Sequence, residues 1–286
     1  MFRKLIVPAD LAGMFEDFSS CFQGAPAAGV EEVHLVHLFP PHGVRSYFRQ
    51  IDQPYLERQA EALRGLGLSV TAHTAVGSPA REINRVAAER RADAVAVCSL
   101  SHGVIEELVL HPVADALLHD ARFPLLVLNC GRERPASAPF ENLFRHILFA
   151  TDFSEGAQEA EGLVERIAAA KKSRVTLVHV QEQRRIFPHL EDRLAEFTRV
   201  DRERLRALER RLRKKGASAV DLHVPCGHPV PVLLGLLRDL QPSLTILGHQ
   251  GRDRVTEFVT GSVAHGVARG ASTPVLLIPA RPRPGT

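Results

Sequence analysis

Two parallel-sheet α/β domains in tandem are the fold class that this sequence predicts, and three observations predict it. Short β-branched apolar runs alternate with helical stretches, the pattern of a parallel sheet covered on both faces. The same series of runs is written twice. The length, 286 residues, is what about two domains of ordinary size require.

The repeat reads residue by residue. Phe2 to Asp10 (FRKLIVPAD) matches Phe144 to Asp152 (FRHILFATD), 142 positions on, and Val33 to Leu38 matches Val175 to Val180 at the same offset. Gly77-Ser78-Pro79 matches Gly227-His228-Pro229, now 150 positions on, as Phe123 to Leu128 matches Thr273 to Ile278. The offset grows between the second and third strands, so the second copy carries a longer crossover there. A unit of about 140 residues is far beyond solenoid periods, so each copy is a whole domain. The expected limits are residues 1–130 and 144–280, with a linker at 131–143 where GRERPASAP is polar, Pro-bearing and aperiodic.

In the first copy, Ala94 to Leu100 is a pure apolar run of strand size. Gly77-Ser78-Pro79 reads as strand end, N-cap and a proline at the first helical position. In the second copy the expected strands are Ile147 to Ala150, Val175 to Val180, Ala219 to Val224, Leu244 to Leu247 and Val275 to Ile278. Ser154 is placed to cap a helix running to about Lys171. The next helix spans about Leu190 to Lys215, with Leu194, Phe197, Leu205, Leu208 and Leu212 on one apolar stripe. Its arginines are interleaved with Glu191, Asp192, Glu196, Asp201, Glu203 and Glu209. That reads as a solvated face laced with i,i+4 pairs, not as a nucleic-acid surface.

Composition narrows the function classes. Hydrophobic content of 45% and charged content of 24% are ordinary for a soluble globular chain. A net charge of +3 is too small to argue for nucleic acid. No apolar run approaches a membrane span, and MFRKLIVPAD has too short an apolar run for a signal peptide. Cys21, Cys98, Cys130 and Cys226 lie far apart without a C-x-x-C, so reduced, buried thiols in a cytoplasmic protein are expected.

The stretch from Ser243 to Pro279 carries the chemistry. After the apolar run Leu244 to Leu247 come Gly248, two residues, Gly251, nine residues, then Gly261-Ser262 opening a helix. Glycines after a strand let backbone amides approach a ligand and admit φ > 0. A Gly-Ser pair at a helix start offers N–H groups, a hydroxyl and the positive dipole end to an anion. The chain has neither a Walker A loop nor the Rossmann G-x-G-x-x-G.

This spacing resembles the G-x2-G-x9-G-[ST] signature of the ATP-binding branch of the universal stress protein family. The closing Ser272 to Pro279 (STPVLLIP) is similar to that family's last strand. The resemblance covers nearly the whole chain and implies, for each copy, a Rossmann-like five-stranded parallel α/β sandwich of strand order 3-2-1-4-5. In such sheets ligands sit beyond the strands' carboxyl ends where strand order reverses, here between the first and fourth strands. The resemblance then implies Asp152 by the ribose or base, Val180 as a backbone contact to adenine, and Gly248 close to the ribose. It places Gly251, Gly261 and Ser262 on the phosphates, with Val263 adding a further amide. The plainer reading of Asp152 is a turn-capper ahead of Ser154. ATP is the implied ligand, with ADP and AMP as the other candidates and Mg2+ brought by the phosphates.

The first copy has lost the motif. Its counterparts are Cys98, Ser101, His111 and Pro112, and Pro112 has no N–H to give a phosphate. Asp10 without the loop is only a cap. His102, His111 and His119, with Asp115 and Cys98, follow no common ligand spacing, so no metal site is expected. No catalytic residue is expected either. Arg252, Asp253 and Arg254 fall short of the cation clamp, metal carboxylate and nucleophile-orienting group of phosphoryl transfer. Cys226 beside His228 reads as a buried thiol without a third group.

The expected function is a nucleotide-dependent stress-response or signalling protein that binds ATP in its C-terminal domain. The alternatives are a slow ATPase or nucleotide-dependent transferase, and a tandem scaffold with a vestigial pocket. An apolar last strand in each copy, Leu125 to Leu128 and Val275 to Ile278, would be an exposed sheet edge in an isolated domain. With the family's habit of pairing these strands, that leads to an expected intramolecular pseudo-dimer. Dimerisation of whole chains is left open, and neither nucleic acid nor a membrane is an expected partner.

Overall fold

The computed structural model describes residues 2–9, 18–39, 45–99, 112–129, 139–183, 191–249 and 261–280. The chain separates into two compact units, Met1–Asn142 and Leu143–Thr286. Most of the expected linker lies outside the described residues.

The first unit has strands β1 (Lys4–Pro8), β2 (Glu32–Phe39), β3 (Ser69–Val76), β4 (Ala94–Ser99) and β5 (Leu125–Asn129). They form a parallel sheet of order 3-2-1-4-5, with Lys4 opposite Glu32, Val36 opposite His73 and Leu5 opposite Ala94. Its helices are α1 (Ala25–Ala28), α2 (Arg45–Arg64), α3 (Pro79–Arg90) and α4 (Pro112–His119). Leu5, Ile6 and Val7 are all buried, as are Val33, Leu35 and Val36. Consecutive burial, not alternation, is what a sheet covered on both faces requires. Ser78 is the N-cap of α3 with Pro79 just inside, as expected, yet its hydroxyl makes no cap hydrogen bond.

The second unit repeats the design with β6 (His146–Ala150), β7 (Arg174–Val178), two-residue strand β8 (Gln181–Glu182), β9 (Ala219–His223), two-residue strand β10 (Cys226–Gly227), β11 (Leu244–Gly248) and β12 (Val275–Ile278). Its parallel order is β9-β7-β6-β11-β12, again 3-2-1-4-5 within the unit, and β8 pairs with β10 as a separate ribbon. The expected strand Val175 to Val180 therefore stops at Val178 and resumes at Gln181. There the backbone continues toward the β9–β10 segment: His179 N–H donates to His223 O at 3.0 Å and Gln181 N–H to Pro225 O at 2.8 Å.

Among the described residues the helices of this unit are α5 (Glu155–Lys171), α6 (Leu194–Lys215), α7 (Pro229–Leu240) and α8 (Ser262–Gly270). Ser154 caps α5, its Oγ accepting from Ala157 N–H at 3.2 Å. A 3-10 turn, Glu191–Arg193, precedes α6. Leu205, Leu208 and Leu212 of its stripe are buried, each contributing about 1.5–3 kcal/mol of transfer energy. Leu194 and Phe197, in the first turn, are half-buried. The outer face is ion-paired as expected, with Arg199 on Glu203 at 3.0 Å and Arg213 on Glu209 at 2.8 Å. Arg211 and Lys215 also cross to Glu165 of α5, and Arg211 to Glu161, fastening the two helices on one face. On α8, a Cβ at Gly266 would lie 2.8 Å from Val230 Cγ2, and one at Gly270 2.7 Å from Leu234 Cδ1. The small residues of α8 thus admit α7 at close range.

The cysteine expectation needs correction at two positions. Cys21 is disulfide-bonded, its partner lying outside the described residues, and Cys226 is exposed. Sequence separation does not report which sulfurs the fold brings together. Cys226 is exposed because it lies in the short ribbon β8–β10, outside the main sheet. Among the described residues no helix is long and apolar enough to cross a membrane.

Candidate functional site

The second unit's strand order reverses between β6 and β11, which run side by side with Leu247 opposite Ala150. Beyond these ends the chain turns tightly twice. After β6, Thr151 N–H donates to Val178 O at 2.9 Å, Thr151 Oγ1 accepts from Phe153 N–H at 3.0 Å, and Asp152 Oδ1 accepts from Ser154 N–H at 3.0 Å. Phe153 is held at φ +60°, in the left-handed region that a bulky residue rarely occupies. Asp152 is half-buried and does cap the turn. Capping fixes its carboxylate at the end of β6 and so at the crevice.

After β11, Gly248 is placed by a backbone approach. A Cβ there would lie 3.0 Å from Gly156 C and 3.1 Å from Ala157 N, in the first turn of α5. The loop that follows is pinned at both ends. His249, 2% exposed, donates its N–H to Ile278 O at 2.7 Å and accepts from Gly261 N–H at 3.0 Å. Gly261 is the N-cap of α8 with φ −58° and ψ 132°. Its amide donates to the His249 carbonyl. Ser262, exposed, and Val263, half-buried, form the first turn of α8, which receives no side-chain cap from Gly261. Gly251 lies outside the described residues. Val180 is half-buried in the break between β7 and β8.

A polar network absent from the sequence reading surrounds this end of β7. His179 Nδ1 donates to Thr151 O at 2.7 Å, and its Nε2 lies 3.6 Å from Asp201 Oδ2. Gln181 Nε2 donates to the same oxygen at 2.9 Å. The Thr198 hydroxyl is within reach of Gln181 Oε1 (3.0 Å) and Leu194 O (2.8 Å), though its one proton serves one acceptor at a time. The Phe153 ring lies 4.6 Å from the His179 ring, with the Arg204 guanidinium 5.2 Å above it. The start of α6 is thereby tied to the turn that carries Asp152. The shared position of His37 and His179 was the one visible signal. The partners differ between copies, since the His37 ring meets Phe39 edge-on at 4.5 Å.

In the first unit the corresponding features are altered. Cys98 stands in β4 where β11 has Gly248, and although part of its surface reaches solvent, burial of the sulfur pushes its thiol up to about 12. Such a thiol is not a ready nucleophile. Pro112 opens α4 without an N–H. Asp10, Ser101, His102 and His111 lie outside the described residues.

The family model described as Universal stress protein family matches residues 23–129 and 143–279. The chain belongs to the universal stress protein family, as a tandem two-copy member. Universal stress protein MJ0577 of Methanocaldococcus jannaschii is 25% identical over 155 residues, covering 48% of this chain and 95% of that protein. The crystal structure of a universal stress protein from Archaeoglobus fulgidus matches at full length, with TM-score 0.75, 20% identity and coverage of 98% and 99% of the two chains. At that identity the likeness shows the fold alone. A universal stress protein solved in complex with cAMP is 22% identical, covering 48% of this chain and 98% of that one with TM-score 0.36.

Proposed function

We propose that the second unit binds one adenine nucleotide, ATP in the first place, and that the protein acts in stress response or signalling through that occupancy. The observation that carries this reading is the start of α8. A nine-residue helix opens at Gly261-Ser262, its N-cap a glycine with no side chain to cap it, just past the crevice at the ends of β11 and β6. Its N-terminal end offers the Ser262 and Val263 amides and the Ser262 hydroxyl to a phosphate. Asp152, Val180 and Gly248 line the ribose and base side, and Gly251 and Gly261 shape the loop. Mg2+ would accompany the phosphates. Cytoplasmic residence and the domain limits 1–130 and 144–280 belong to the same reading. In this reading hydrolysis is slow or absent, and multiple-turnover ATP hydrolysis at about 1 per second or faster would refute it.

One observation favours a scaffold with a vestigial pocket. The approach of α5 explains Gly248, and the His249 carbonyl occupies the Gly261 amide, both without a ligand. Nucleotide released from the denatured, purified protein, and calorimetric titration of ATP, separate the two. Binding near one nucleotide per chain that Gly261→Val abolishes supports the proposal. Ser262→Ala weakens it by about 0.5–3 kcal/mol, the range for one lost neutral or charge-assisted hydrogen bond. Neither bound nucleotide nor uptake would leave the scaffold.

A further inference from the structure

The first unit holds a histidine pair that the nucleotide reading does not use. His34 lies in β2 and His73 in β3, and their side chains meet across the two strands with His34 Nδ1 2.9 Å from His73 Nε2. The ring centroids are 5.0 Å apart. His34 is 2% exposed, and His73 is half-buried. Behind them, Glu32 Oε1 stands 2.9 Å from His34 Nε2, off the axis of a hydrogen bond, so Glu32 acts there chiefly by its charge. The other Glu32 oxygen is 2.8 Å from Lys4 Nζ in β1. The pair is not repeated in the second unit, where His223 stands opposite Val178 as His73 stands opposite Val36, but Thr176 takes the place of His34.

We propose that His34 and His73 form an acid-released latch: they share one N–H between two facing nitrogens, and a proton added to the second nitrogen frees the outer strand β3 from β2. The chemistry is stoichiometric. A neutral imidazole has one N–H and one lone pair, so the two facing nitrogens are bonded only while one of them is unprotonated. With both protonated, two N–H groups would point at each other across 2.9 Å, and the rings must separate. The charged groups around the pair come from every element beside it. Glu32 and Lys4 face it from the strands, and Glu89 and Arg90 from the end of α3. Arg64 of α2 reaches β3 at the Val70 carbonyl and pairs with Glu57. Burial first of all lowers the affinity of both rings for a proton. Arg90 works in the same direction, and Glu32 opposes it at His34 as Glu89 does at His73. β3 is the outer strand of the unit's sheet, with no further strand on its other side among the described residues.

The sign follows from these directions. A histidine held neutral in the fold stabilises it fully above the unfolded value of about 6.5, and that contribution is lost as pH falls from there through the folded value. The test is an NMR titration of the imidazoles of the full-length chain between about pH 8 and about pH 5, with hydrogen exchange of the β3 amides over the same range. The expected result is that His34 and His73 titrate as a coupled pair below the ordinary histidine range, with loss of β3 protection as they do. His73→Gln keeps an amide that donates through Nε2 to neutral His34 Nδ1 and, turned over, accepts through Oε1 from the protonated ring, so it should retain β3 protection on acidification while His34 titrates in a single step. Two independent single-step curves in the wild type would overturn the latch, and so would unchanged acid loss of β3 protection in His73→Gln. The wild-type titration decides the question even if the variant folds poorly.

Discussion

At Gly248 a single hydrogen in place of a methyl group decides how closely α5 sits on the end of β11. The neighbours of a Cβ there are backbone atoms of Gly156 and Ala157 at 3.0–3.1 Å, which cannot rotate away as a side chain would. Gly248→Ala is therefore expected to destabilise the second unit by about 1–3 kcal/mol, the usual cost of overpacking, as read by urea denaturation with and without ATP. Cys98→Ala in the first unit, which already carries a Cβ, should show no such overpacking cost. His146 is buried, with its Nε2 2.9 Å from Thr176 Oγ1. Burial, then the Arg174 cation, lowers its proton affinity, opposed by Asp221. Its neutral form is favoured in the fold, so it stabilises fully above about pH 6.5 and progressively less as pH falls. His146→Gln should flatten the acid limb of the second unit's stability curve, and an unchanged limb would refute this.

At the scale of elements, α8 depends on its glycines for a different reason than its helical conformation. Gly266 faces Val230, whose β-branched side chain has one preferred rotamer in a helix. Gly270 faces the flexible end of Leu234, at the last turn of α8. Alanine gains about 0.8–1 kcal/mol of helix propensity over glycine in a helix interior. At Gly266 the clash should outweigh that gain, and at Gly270 Leu234 can swing aside. Gly266→Ala is therefore expected to lower thermal stability and weaken nucleotide uptake, while Gly270→Ala leaves both nearly unchanged. Equal effects at the two positions would mean that the helices do not meet this closely. The strained turn at Phe153 belongs to this scale as well. Its φ of +60° is maintained where Thr151 and Asp152 side chains accept the next amides and α6 supplies Asp201 and Arg204 around His179 and the ring.

For the whole molecule, the asymmetry between the copies gives the proposed stoichiometry. A ligand that binds only the folded second unit stabilises it by RT ln(1 + [L]/Kd), about 2.7 kcal/mol at a hundredfold excess over Kd. Hydrogen exchange with and without ATP should show added protection in α5, α8 and the end of β11. The β1 to β4 core of the first unit should be unaffected. Protection spread equally over both units, or two nucleotides per chain, would show that Pro112 and Cys98 are no barrier. Pro112→Ala should restore nothing, because one amide does not rebuild the lost glycines.

Sequence alone determined the duplicated parallel α/β plan, the N-cap positions Ser78 and Ser154, of which only Ser154 caps through its side chain, and the helix start at Gly261-Ser262. These follow from local rules: apolar runs, capping chemistry and a repeat that aligns with itself. The family followed from the spacing of four residues, Gly248, Gly251, Gly261 and Ser262. What tertiary structure decided were matters of distance between residues remote in sequence. The break at His179-Val180 arises from hydrogen bonds to His223 and Pro225, and the use of Gly261 N–H from the placement of His249. The bonded Cys21, the network from Thr151 to Asp201 and the pairing of His34 with His73 have the same origin. A periodicity shows which face of a strand is buried, but not which side chain from another strand or helix arrives within 3 Å of it. Strand register and helix approach fix that only once the whole sheet is assembled.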